Sequence, residues 1–119
     1  MSQSATEDAV EHLKQAITIY PQYQIALHEL GMQYRKLKQL DDAVAQFEAA
    51  LKVNADAFQP RLNLGIVLVE QKKFADAREH LNRALKIESG NPAAHLYMGI
   101  ATLGSDELPI AFEELSQKH

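Results

Sequence analysis

Five histidines (His12, His28, His80, His95 and His119) and 16 acidic residues are the groups in this 119-residue chain that could ligate metal or move protons. Their spacing suits neither task. A zinc-binding helix carries two histidines four residues apart with a glutamate beside the first, and no such arrangement occurs. His12 and His80 are expected on solvated outer helix faces, and His95 as a packed histidine. The acids Asp41–Asp42 and Glu113–Glu114 are sequence neighbours, so on a helix they point in different directions and read as solvated faces or dipole partners. There is no Gly-rich phosphate loop and no nucleophile elbow, and with no cysteine there is no thiolate metal site, disulfide or thiol nucleophile. The chain is therefore expected to be non-catalytic, without metal or cofactor.

The cations fall in two clusters, Arg35–Lys36–Lys38 and Lys72–Lys73, each at the end of an expected helix where positive charge favours the C-terminal dipole. They could also form a rim that steers an acidic partner. The net charge of −4 argues against nonspecific nucleic-acid binding. The start of the chain is acidic and polar where a secretory signal would be basic and then apolar. The uncharged run that ends at Ser105 carries Asn, His and Ser and falls short of the roughly 18–20 apolar residues of a membrane span. A soluble chain without membrane insertion is expected, its compartment open, with the cytoplasm favoured.

The elements that position these groups follow from an internal period. Gly31, Gly65 and Gly99 stand 34 residues apart, each preceded by a large apolar residue, Leu30, Leu64 or Met98. Ala43, Ala77 and Ala111 follow the glycines by 12 residues, and Phe47, Leu81 and Leu115 by 16. Within a period, Leu27, Leu30, Gly31 and Tyr34 hold helical spacing, and so do Ala43, Phe47, Ala50 and Leu51. Ser4 with Glu7 reads as a capping box, and Asn91–Pro92 as a cap followed by proline at the first helical position. Pro109 is expected in the first turn of a last helix. A mid-helix glycine costs about 1 kcal/mol relative to alanine, so its recurrence at one register implies a close approach, expected against the alanine 12 residues later.

This pattern resembles the tetratricopeptide repeat, a 34-residue helix pair. The units would run 24–57, 58–91 and 92–119 after a leading helix in 1–23. The resemblance implies an all-α, right-handed superhelical solenoid of about seven helices, whose units bury their apolar faces only by stacking. Departures from the family pattern include Ala55 for the usual proline, Arg61 and His95 at the aromatic position, and Leu68 and Thr102 at the tyrosine. Neither end carries an obvious polar capping helix, so a longer array or stacking on another subunit is expected.

The resemblance also implies a concave groove lined by the first helix of each unit. Its inward positions hold Ile25, His28, Met32 and Arg35, then Gln59, Leu62, Ile66 and Val69, then Ala93, Leu96, Ile100 and Leu103; Asn63 lies beside the second set. Units two and three are apolar on this stripe as well as on the core stripe, unlike a helix with one wet face. Six aliphatics (Leu62, Ile66, Val69, Leu96, Ile100, Leu103) would expose about 300–500 Å², the largest patch that a soluble monomer normally shows. The expected function is a protein–protein interaction scaffold that binds a partner's peptide or helix in this groove. The alternatives are self-assembly into a homo-oligomer through the uncapped ends or the apolar groove, and a substrate-recruiting segment of a larger protein. Family members that bind the acidic C-terminal tail of heat-shock chaperones use a clamp of Lys, Asn and Arg. Those positions here hold His28, Met32, Asn63, Ala93 and Tyr97, so only Asn63 matches and tail binding is not expected.

Overall fold

A computed structural model describes residues 2–117, with side chains described over 4–105. Six helices follow one another: α1 (Ser2–Ile19), α2 (Gln24–Lys36), α3 (Leu40–Val53), α4 (Phe58–Glu70), α5 (Phe74–Ile87) and α6 (Pro92–Gln117). Helices α2, α4 and α6 start 34 residues apart, and so do α3 and α5. Each helix packs on the next, and α4 also touches α2 and α6, so the first helices of the units lie side by side. The architecture is the expected helical solenoid.

Local chemistry accounts for the helix boundaries. Asn91 caps α6 by accepting from the Ala94 N–H at 3.0 Å, with Pro92 as the first helical residue. Asp41 and Asp42 sit in the first turn of α3 and Asp76 in that of α5, where the dipole favours anions. Helices α2 and α4 both end in a Schellman motif. Gln39 N–H reaches Tyr34 C=O at 2.9 Å and Lys38 N–H reaches Arg35 C=O at 3.0 Å; Lys73 to Leu68 and Lys72 to Val69 repeat it. Lys38 and Lys72 take the left-handed conformation (φ 62° each) that these turns need. Helix α1 begins at Ser2, so Ser4 lies inside it and does not open it as a capping box.

The core runs between the helix pairs, with Ala43, Phe47, Leu64, Val67, Ala77, Leu81, Ala84, Ala94 and Ala101 all buried. The glycines make the close approach, but not to the alanines expected from spacing. A Cβ on Gly31 would lie 2.6 Å from the Phe47 ring, and one on Gly65 would lie 2.6 Å from Leu81 Cγ and Cδ2. The large residue 16 positions on fills each notch, while Ala43 and Ala77 pack at its side. Around Gly99 nothing stands within 4 Å of such a Cβ among the described residues.

Unit three departs from the hairpin pattern. Its two expected helices form the single helix α6, which runs past Gly104 and Ser105 without the turn seen at Lys38 and Lys72, and this accounts for six helices where about seven were expected. Pro109 falls inside the span of α6. The side chains of Pro109, Ala111, Leu115, Glu113 and Glu114, and all of His119, lie outside the described residues.

Candidate partner-binding face

The groove positions lie on α2, α4 and α6, and the structure treats the three helices differently. On α4 every residue from Pro60 to Val69 is buried, including Leu62, Asn63, Ile66 and Val69. This is a correction to the six-aliphatic patch. A helix that is apolar on most of its circumference is a buried helix, and α4 is surrounded by four others, α2, α3, α5 and α6. Only Gln59 of the α4 set is exposed.

On α6 the corresponding side chains are open: Leu96 is 59% exposed, Ile100 40% and Leu103 62%, with Ala93 half-buried. On α2, Ile25 is 66% exposed and His28, Met32 and Arg35 are half-buried. A cleft of about 430 Å³ separates the first turns of α2 and α4, lined by Ile25, His28, Glu29, Phe58, Gln59 and Pro60 among others. The accessible surface is therefore the α2–α4 cleft and the α6 stripe, with the middle of α4 sealed between them.

His28 forms the floor of the cleft. Its ring packs 5.6 Å from that of Phe47, and Asn63 Nδ2 stands 2.8 Å from its Nε2. The amide nitrogen can only donate, so Nε2 accepts and Nδ1 carries the proton, 3.6 Å from Glu29 Oε2. Burial lowers the His28 pKa from 6.5, outweighing Glu29, which raises it. Asn63 is thus spent on positioning His28.

Arg35 is not a free rim cation. Its Nε and Nη2 donate to Glu70 Oε1 and Oε2 at 2.9 and 2.7 Å, a bidentate pair that joins α2 to α4. Glu70 is the main cause of its raised pKa, and Tyr97 of α6 acts in the same direction. The Arg35 head therefore ties α2 to α4, and of its cluster Lys36 and Lys38 remain exposed.

Two other histidine expectations are corrected. His80 is half-buried because Arg61, which replaces the aromatic residue of the pattern, reaches it: Nη1 donates to His80 Nδ1 at 3.1 Å and Nη2 to Ala55 C=O at 2.8 Å. His95 is exposed and donates from Nε2 to Ser89 C=O at 2.7 Å. Among the described residues no group of three or more His, Asp or Glu is placed to hold a metal ion, and no helix is long and apolar enough to cross a membrane.

A pH dependence follows. His80 is held below 6.5 first by burial and then by Arg61, while Glu79 and Glu48 raise it. Both His28 and His80 thus bind protons more weakly folded than unfolded. Their stabilising contribution is complete above about pH 6.5 and is lost as the pH falls from there through their folded pKa values. Melting temperature is expected to drop between pH 7.5 and pH 5.5, above the range where most carboxylates titrate. A His28→Gln/His80→Gln chain that melts with the same pH slope would contradict this assignment.

Comparison with known proteins bears on this face. A family model described as the tetratricopeptide repeat matches residues 28–92. The mouse (Mus musculus) protein O-mannosyl-transferase TMTC1 is 31% identical over 83 residues, 66% of this chain but 9% of that protein. Of solved structures, a MamA RS-1 double mutant superposes with a TM-score of 0.83 at 23% identity, covering 91% of this chain and 61% of that one. The first repeat domain of Spaghetti (RPAP3), bound to the HSP90 peptide SRMEEVD, gives 0.81 at 17% identity, covering 84% and 79%. At these identities the structural likeness establishes the fold. The chain spans less than two thirds of the length of the first two proteins.

Proposed function

Since the chain belongs to the tetratricopeptide-repeat family, we propose that it is a non-catalytic protein–protein interaction scaffold that holds a partner's peptide or short helix along its first helices. The observation that carries this reading is the open apolar stripe Leu96–Ile100–Leu103, which holds the unit positions of His28, Met32 and Arg35 on α2, with His28 in the α2–α4 cleft. Contacts would come from Ile25, His28, Met32, Gln59, Ala93 and the stripe. Leu62, Ile66 and Val69 would shape the floor between them without touching the ligand, and Asn63 and Arg35 would hold His28 and the helix register. The transferase activity in the mouse relative's name is not carried over, because the match covers so little of that protein.

The partner segment is apolar in this reading. The peptide SRMEEVD in the similar structure is acidic and would need fixed cations. Of the five clamp positions only Asn63 matches, and its amide faces His28. With half of the expected patch sealed, burial of roughly 150–250 Å² would contribute about 4–6 kcal/mol gross. Association costs reduce that to weak, micromolar-range binding.

The test is selection from a displayed random-peptide library, followed by fluorescence anisotropy on synthetic peptides. Apolar anchors at helical or alternating spacing are expected, with SRMEEVD failing to compete. Leu96→Glu with Leu103→Glu is expected to weaken binding at least tenfold (about 1.4 kcal/mol) without loss of helicity. Equal binding by this folded variant would remove the groove assignment.

A further inference from the structure

The notch at Gly99 shows what is missing from unit three. In units one and two the residue 16 positions after the glycine fills its notch: Phe47 at Gly31 and Leu81 at Gly65, both fully buried. At Gly99 the notch is open among the described residues, and Leu115 is the residue at that offset. Ala111 likewise holds the register of the buried Ala43 and Ala77, and Leu108 that of Leu40 and Phe74, which begin α3 and α5. Residues 108–117 thus carry the pattern of a unit's second helix, written for the Gly99 face.

The backbone keeps the two apart. Helix α6 is continuous from Pro92 to Gln117, and 16 residues at 1.5 Å each put Leu115 about 24 Å along the axis from Gly99. The same helix leaves one face open around the notch, with His95, Leu96, Gly99, Ile100 and Leu103 all exposed.

We infer that two copies of this chain exchange the C-terminal half of α6: residues 108–117 of one copy dock as the second helix of unit three on the Gly99 face of the other, and the reverse. The exchange is reciprocal, so it closes as a twofold dimer, and it uses only contacts that units one and two already make within one chain. It needs no new complementary surface, because the notch and the residue that fills it are in the same sequence. The straight course through Gly104 and Ser105, in place of the turn at Lys38 and Lys72, carries the segment along the axis away from its own notch. The groove stripe survives the exchange: in unit one, where α3 already covers Gly31, Ile25 stays exposed and His28 and Met32 half-exposed. The dimer is therefore separate from the peptide-binding reading, and either can fail alone.

The experiment is one chain carrying both Gly99→Cys and Leu115→Cys in a protein that has no other cysteine. The small thiol at 115 makes room for the new Cβ at 99. After mild oxidation at micromolar concentration, the expected product under denaturing, non-reducing conditions is a covalent dimer of twice 13.3 kDa. A disulfide-closed monomer would mean that the segment folds back on its own chain, and it would overturn the exchange. Absence of any disulfide would overturn it as well. Light scattering on the unmodified chain is expected to rise from one mass to two across a hundredfold concentration range. Leu115→Glu should raise the dimer dissociation constant at least tenfold with helicity retained. A constant monomer mass, or a dimer indifferent to Leu115→Glu, would refute the proposal.

Discussion

Gly65→Leu is expected to cost more than about 3 kcal/mol and to leave no cooperative melting transition above room temperature. The first added carbon already meets a wall, since a Cβ at Gly65 would lie 2.6 Å from two atoms of Leu81, well inside contact distance. Leu81 cannot swing clear because it is itself fully buried, with Ala77 and Ala84 on its own helix buried on either side of it. The rest of the leucine side chain would then force α4 and α5 apart. Helix α4 is buried from Pro60 to Val69, so that displacement would be passed to α2, α3 and α6, which also pack against it. The intrinsic gain from replacing a helical glycine, about 1 kcal/mol, is too small to offset this. Gly65→Ala should fall between, at about 1–3 kcal/mol. Gly90 is the control: a methyl group there would meet nothing within 4 Å, and Gly90→Ala should change stability by less than about 0.5 kcal/mol. Urea denaturation of the three variants measures the series, and a near-native midpoint for Gly65→Leu would show that the helix pair is loosely packed.

How far this can be read from the sequence depends on what each residue answers to. The repeat is legible because single short contacts impose it: a glycine under Phe47 or Leu81, and alanines where helices touch, recur at fixed offsets. The glycine's partner lies one helical turn beyond the alanine that spacing suggests, since spacing gives the facing helix but not which side chain leans over the notch. The groove is half legible. Periodicity marks Leu62, Ile66 and Val69 and Leu96, Ile100 and Leu103 as the same stripe, but burial depends on how many helices pack against each, which among the described residues is four for α4 (α2, α3, α5 and α6) and two for α6 (α4 and α5). The turns at Lys38 and Lys72 carry no glycine to announce them, so their loss in α6 has no signal either. The Arg35–Glu70 pair spans 35 residues, beyond any local rule. Arg61 does leave a signal: a charged residue at a core register requires a partner, and His80 is the candidate on the adjoining helix.

Arg61 carries the second large effect, and two substitutions separate its stem from its charge. Arg61 is buried at a position where unit one has the buried Leu27, so its aliphatic stem fills core volume between the helices of unit two. Arg61→Ala removes that volume and should cost about 2–4 kcal/mol, the range for emptying a buried long side chain. Its head is a poorer asset. Nη1 and Nη2 are bonded to His80 and Ala55, but Nε is buried without a partner. A cation so placed bears a desolvation cost that an apolar residue of similar size would avoid. The two acceptors left behind are not stranded, because Ala55 is exposed and His80 half-exposed, so water can reach both. Arg61→Leu should therefore recover all of the alanine loss and melt at or above the parent chain. It should also flatten the acid side of the stability profile. With the guanidinium gone, one of the two leading causes of the lowered His80 pKa disappears, so His80 takes up its proton at a value nearer 6.5 and the folded and unfolded chains differ less in protons bound as the pH falls. Thermal melts of both variants at pH 7.5 and 5.5 decide between the contributions. If Arg61→Leu is as unstable as Arg61→Ala at both pH values, the bonds to His80 and Ala55, and not the packed stem, hold α4 against α5.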